Sequence, residues 1–292
     1  MNRPLALRRR PRRLRLTKPR LRTFTPNHLL PNALTVLALC AGLTAMRFGL
    51  NGEWRPAVIS IVVAAILDSL DGRIARLLNA QSRFGAELDS LSDVISFGVA
   101  PAVVLYLWVM AGAGNLGWGA ALIFAVCMAL RLARFNSALD IEPPAYAKSF
   151  FTGVPAPAGA GLVLLPMVGS FELGEGWLDR PLFVAAWTVT IAFLLISRIP
   201  TYSFKKVRVP QWAVAPVLLG IGVVGMAMTT APWPTLAALG LAYLFTIPVS
   251  LYSYWSARRA YEFAAPVEEV MPDLPGVYDT DRHNSAGLPH ER

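Results

Sequence analysis

Long apolar stretches recur along the chain at 31–49, 56–78, 86–110, 117–137, 152–170, 181–197, 211–230 and 234–254, separated by polar links. A helix crossing a bilayer needs about 17–25 predominantly apolar residues. The pattern therefore predicts an all-α polytopic integral membrane protein of about eight transmembrane helices. Pro155, Pro157 and Pro166 interrupt the stretch at 152–170, which neighbouring helices can accommodate by re-satisfying the freed backbone groups. Polar ends flank the membrane domain at 31–256: a basic arm over residues 1–30, and a tail over 257–292 rich in Pro, Asp and Glu.

Composition strengthens this reading. Of the 292 residues, 55% are hydrophobic and only 15% charged, and the mean hydropathy is +0.48, which excludes an ordinary soluble domain. The first 22 residues hold ten Lys or Arg and no acid, so the positive-inside rule makes the N-terminus cytoplasmic. An even number of spans returns the C-terminus to the same side. The links that then fall inside carry Arg83, Lys148, Arg198, Lys205, Lys206 and Arg208, whereas those outside carry only Arg55 and Arg180. A net charge of +9 is compatible with nucleic acid, but its location in the arm and inner links makes anionic lipid the simpler partner, and no nucleic acid is expected. Cys40 and Cys127 lie in apolar stretches, which excludes a disulfide framework or thiolate metal cluster. His28, His283 and His290 lie outside the spans, so histidine-based chemistry is not expected.

The polar positions that interrupt the second and third stretches carry the chemistry. Asp68, Asp71, Asp89 and Asp93 fall within 26 residues beside the membrane, where a charged side chain costs about 2.5–3.5 kcal/mol at the helix centre on insertion scales. Four such groups require cations, partners or water. Asp68, Asp71 and Ala75 share one helical face, and Asp89 and Asp93, four apart, share another. The short link Asn79–Arg83 makes the two helices antiparallel neighbours, so the carboxylates converge. An all-oxygen set suits a hard cation such as Mg²⁺ or Mn²⁺. Gly72 and Ala75 leave that face bare of bulky side chains, with room for a ligand to approach the backbone.

The run D-x₂-D-G-x₂-A-R-x₈-G-x₃-D-x₃-D, from Asp68 to Asp93, resembles the signature of the CDP-alcohol phosphatidyltransferase family, with each of its eight defined positions present. Pro31-Asn32-Ala33-Leu34-Thr35 is either a helix opening with proline in its first turn or, as the resemblance implies, a contact surface for pyrophosphate through Asn32 and Thr35. Arg131 and Arg134, at i and i+3, either snorkel to the interface or present forks to phosphate or carboxylate. The run Arg131–Asn136, with Phe151–Pro157 and Ser197–Lys206, is similar to the serine-accepting branch of the family.

The resemblance implies a fuller set of expectations. CDP-diacylglycerol and L-serine would be the substrates, and phosphatidylserine and CMP the products. Asp68, Asp71, Asp89 and Asp93 would hold two Mg²⁺ or Mn²⁺ ions, with Asp93 also the catalytic base. Asn32, Thr35, Gly72, Ala75, Arg76 and Gly85 would bind the CDP moiety, and Arg131, Arg134 and Lys205 would line an acceptor or phosphate pocket. A homodimer in the inner membrane, with its site facing the cytoplasm, is the expected assembly. Glycerol-3-phosphate or inositol is the alternative acceptor within the family. A divalent-cation transporter is the alternative outside it, and it expects acids near the midplane rather than gathered toward one face.

Overall fold

The computed structural model describes residues 26–137, 150–174, 176–197, 200–202 and 210–264. The basic arm as far as residue 25, Lys205 and the tail beyond 264 lie outside the described residues.

Among the described residues ten α-helices follow one another: α1 (Pro26–Leu50), α2 (Trp54–Leu77), α3 (Arg83–Asp93), α4 (Ala100–Trp108), α5 (Asn115–Ser137), α6 (Ala156–Val163), α7 (Leu165–Leu173), α8 (Pro181–Ile196), α9 (Gln211–Thr230) and α10 (Pro232–Ala264). Each predicted stretch overlaps helix. Among the described residues, six segments are long and apolar enough to cross a membrane: Leu29–Leu50, Arg83–Trp108, Asn115–Ser137, Ala156–Leu173, Gln211–Thr230 and Pro232–Ser256. The other two predicted stretches depart from that standard in different ways. Helix α2 is 24 residues long but carries Arg55, Asp68, Asp71, Arg73 and Arg76, and α8 is apolar but has only 16 residues.

Local chemistry explains several departures from the expected elements. Helix α1 begins at Pro26, so Pro31 sits inside it rather than in its first turn. The stretch at 152–170 divides at Leu164, with Pro157 near the start of α6 and Pro166 near the start of α7, positions where a missing N–H costs nothing. The architecture is not wholly helical. Strand β1 (Phe150–Thr152) pairs antiparallel with β2 (Pro200–Tyr202), Thr152 opposite Pro200, which ties the approach to α6 to the exit from α8.

Between α3 and α4 the backbone widens into a π-helical segment, Val94–Val99. Such insertions shift the side-chain register and concentrate at functional sites. This one lies against α1, where a Cβ on Gly42 would come within 2.5 Å of the Ser96 hydroxyl. Ser92 donates to the Thr35 carbonyl and Ser96 to the Ala38 carbonyl, both at 3.2 Å. Small residues likewise let α1 and α2 approach closely: Ala38, Ala45, Ala57 and Ala64 are all buried, the packing mode expected where lipid removes the hydrophobic drive between helices. Phe97, Phe124, Met128, Met167, Ile191 and Leu195 fill the interior beneath. Helix α9 is the exception, with no buried residue and α10 as its main neighbour.

Candidate active site

Two helices carry the acidic side chains. Asp68 and Asp71 lie toward the end of α2, and Asp89 and Asp93 come from α3, which starts where the Ser82 hydroxyl accepts from the Gly85 N–H at 2.9 Å. Carboxylate oxygens of Asp68, Asp71 and Asp89 lie within 4.8 Å of one another and together can hold a metal ion. Asp93 stands beside them, its carboxyl within hydrogen-bonding distance of Asp68. Negative charge so concentrated, in an all-oxygen donor set, fits a hard divalent cation.

Asp71 is the most enclosed of the four, only 4% exposed. Its Oδ2 accepts from the Thr35 hydroxyl at 2.6 Å, while the Pro31 carbonyl lies 3.2 Å from the same hydroxyl. One proton serves one acceptor at a time, and the short bond to an ionised oxygen is the stronger. Thr35 therefore orients a carboxylate, in addition to lying on a cavity wall.

That cavity, of about 330 Å³, is lined by Asn32, Thr35, Asp71, Gly72, Ala75, Arg76, Gly85 and Asp89, with Pro31, Ala80, Gln81, Ser82 and Ala86 completing it. All six residues expected to bind the CDP moiety thus border one space. The two glycines differ in what they face. A Cβ on Gly72 would meet nothing within 4 Å, so its bareness leaves the cavity open rather than easing helix packing. A Cβ on Gly85 would come within 2.9 Å of the Asn32 amide oxygen, so that glycine lets α1 and α3 approach. Arg76 turns back to donate to the Gly72 carbonyl at 3.0 Å.

Another cavity, of about 200 Å³, also borders the acids. Its walls are Asp89, Ser90 and Asp93 from α3, Arg131, Leu132, Phe135 and Asn136 from α5, and the segment through Gly153, Pro155, Ala156 and Pro157. Arg131 faces this space, and its buried Nε has no hydrogen-bond partner among the described residues. Arg134, expected beside it, is not on these walls; its guanidinium donates to the carbonyls of Ile196 at 2.7 Å and Ser197 at 3.5 Å. Asp89 borders both cavities. Sequence reasoning missed Ser90 and Asn136, which hydrogen-bond to each other at 2.8 Å. The usable signal was adjacency: Ser90 follows Asp89, and Asn136 closes the Arg131–Asn136 run.

Comparison with known proteins agrees with this geometry. Residues 28–196 match the CDP-alcohol phosphatidyltransferase family. The CDP-diacylglycerol–serine O-phosphatidyltransferase of Mycobacterium leprae is 40% identical over 276 residues, covering 88% of this chain and 92% of that protein. The proteins of the same name from Helicobacter pylori and Bacillus subtilis are 37% and 34% identical, over 63% and 61% of this chain and 76% and 92% of their own lengths.

Proposed function

The chain belongs to the CDP-alcohol phosphatidyltransferase family, and from that premise we propose that it transfers the phosphatidyl group of CDP-diacylglycerol to L-serine, giving phosphatidylserine and CMP. The observation that carries this reading is the meeting of two cavities at one acidic cluster, with Asp89 bordering both. A transfer between a nucleotide-activated lipid and a small alcohol needs two such spaces sharing the reacting phosphorus.

In this reading the first cavity takes the cytidine diphosphate, with Gly72 and Ala75 admitting it to the backbone and Asn32, Arg76 and Gly85 framing it. Asp68, Asp71, Asp89 and Asp93 hold Mg²⁺ or Mn²⁺, two ions in the fullest form. Bound there, the metal supplies neutralisation of the pyrophosphate charge and stabilisation of the leaving phosphate. The second cavity takes serine, whose carboxylate pairs with Arg131. Asp93, on the wall of that cavity, accepts the proton of the serine hydroxyl as its oxygen bonds to phosphorus and the phosphorus–oxygen bond to CMP breaks.

The membrane arrangement follows from charge. The Arg-rich arm keeps the N-terminus, and with it the site, at the cytoplasmic face. Helices α2 and α8 add two crossings to the six apolar segments. The deciding experiment is an acceptor panel on purified protein with CDP-diacylglycerol and Mg²⁺ or Mn²⁺. CMP release that depends on serine is expected, and release with glycerol-3-phosphate or inositol but not serine would reject the acceptor assignment.

A further inference from the structure

The two arginines of the Arg131–Asn136 run divide their work. Arg131, Phe135 and Asn136 lie on the acceptor cavity, whereas Arg134 reaches away from it to the last carbonyls of α8. Those carbonyls are among the four that every helix end leaves without an intrahelical donor, and a cation there also complements the helix dipole. The planar fork meets Ile196 and Ser197, two successive carbonyls, with N–H groups in a fixed geometry, where a lysine would offer a compact charge on a more flexible stem.

The same guanidinium sits beside the opposite wall of the cavity. Gly153 is in the left-handed region at φ +82°, and a Cβ placed on it would lie 3.2 Å from the carbonyls of Leu195 and Ser197 and 3.6 Å from Arg134 Nη2. Three segments far apart in sequence thus touch at Arg134: the end of α5, the turn through Gly153, and the end of α8. The β1–β2 ribbon joins the latter two immediately beyond.

Building on the acceptor-site reading above, we infer that Arg134 is a positioning residue for acceptor specificity. It holds the Gly153–Pro157 wall at a fixed distance from Arg131, Asn136 and Asp93 without touching the acceptor. A loosened wall would misplace the alcohol but leave the nucleotide cavity, built from α1, α2 and α3, intact.

The test is steady-state CMP release by full-length Arg134→Lys, varying each substrate with the other saturating, and taking as acceptor whichever alcohol the wild type uses best in the panel. The expected result is an acceptor KM raised by about tenfold or more with the KM for CDP-diacylglycerol unchanged. Gly153→Ala should give the same split, and the double variant less than the sum of the two. Should Gly153→Ala not fold, the lysine variant decides alone. An acceptor KM equal to wild type, or an equal rise for both substrates, would overturn the assignment. The serine reading fails separately, if the wild type's preferred alcohol is not serine.

Discussion

The two cavities that meet at Asp89 are built on different plans. The nucleotide-side cavity is framed by small or short side chains from α1, α2 and α3, among them Thr35, Gly72, Ala75, Ser82 and Gly85, and opens where a Cβ on Gly72 would touch nothing. The acceptor-side cavity is smaller and walled by a buried-stemmed arginine, an aromatic ring and a proline-rich turn drawn from α3, α5 and the start of α6. In the function proposed above, one wall set gives room for a large anionic group. The other would give selectivity, because a small alcohol must be held by few contacts at fixed positions.

The comparison breaks most completely at the residue common to both sides. Asp89→Asn should lower turnover by at least about a thousandfold, the several kcal/mol of charge stabilisation that a metal-binding carboxylate organises. Stabilisation of the purified protein by Mn²⁺, read as the shift in thermal midpoint, should fall with it. Asp93→Asn should separate the two effects, with kcat down by about 10²–10⁴-fold as for loss of a general base and CDP-diacylglycerol affinity largely kept. Equal loss of nucleotide binding in both variants would contradict the division of the acids between the cavities.

Next in size is the open glycine. Because nothing lies within 4 Å of a Cβ at Gly72, Gly72→Ala should fold normally, and Gly72→Val should fold but fill the cavity, raising the KM for CDP-diacylglycerol by roughly a hundredfold while sparing the acceptor KM. A thermal midpoint that falls in step with activity would show the glycine to be structural.

How much of this was legible in the sequence follows the same divide. The nucleotide side rests on helical spacing within 26 residues and on one neighbouring helix, so period-3.6 reasoning from Asp68 to Asp93 places its residues together. The acceptor side depends on contacts between positions about 45 to 65 apart, such as Ser90 with Asn136 and Arg134 with Ile196, and no local pattern encodes which of two arginines turns inward. The β1–β2 ribbon escaped notice for a related reason: three-residue strands beside prolines carry no alternation of their own. The π-helical segment lies where α1 comes so close that a Cβ on Gly42 would meet Ser96, and such an approach appears only when helices meet. Helix α1 starts before Pro31 because an interior proline forfeits one hydrogen bond without ending a helix whose Ala38 and Ala45 are packed against neighbours.

A smaller effect is expected at Thr35, which touches the acids from the nucleotide side. Thr35→Val keeps the shape and removes the donor to Asp71, a bond to a charged group worth about 1.5–3 kcal/mol. The expected result is weaker Mn²⁺-dependent thermal stabilisation and a higher metal requirement for turnover, both restored by Thr35→Ser. Unaltered metal dependence would leave Thr35 as a packing residue.

The finest distinction lies at the rim of the acceptor cavity. Asn136 donates to Ser90 at 2.8 Å across the gap between α5 and α3, where both are accessible to water. Water can replace either partner there, so loss of the bond costs only about 0.5–1.5 kcal/mol, far less than a buried donor left unpaired. Its position beside Asp89 nevertheless bears on the acceptor, since Ser90 and Asn136 both border that cavity. Asn136→Ala and Ser90→Ala should each raise the acceptor KM by a few fold, up to about tenfold, leave the KM for CDP-diacylglycerol alone, and combine with little further loss because each already removes the one shared bond. If the two effects instead add in full, each side chain acts on the acceptor separately and the bond between them is incidental to selectivity.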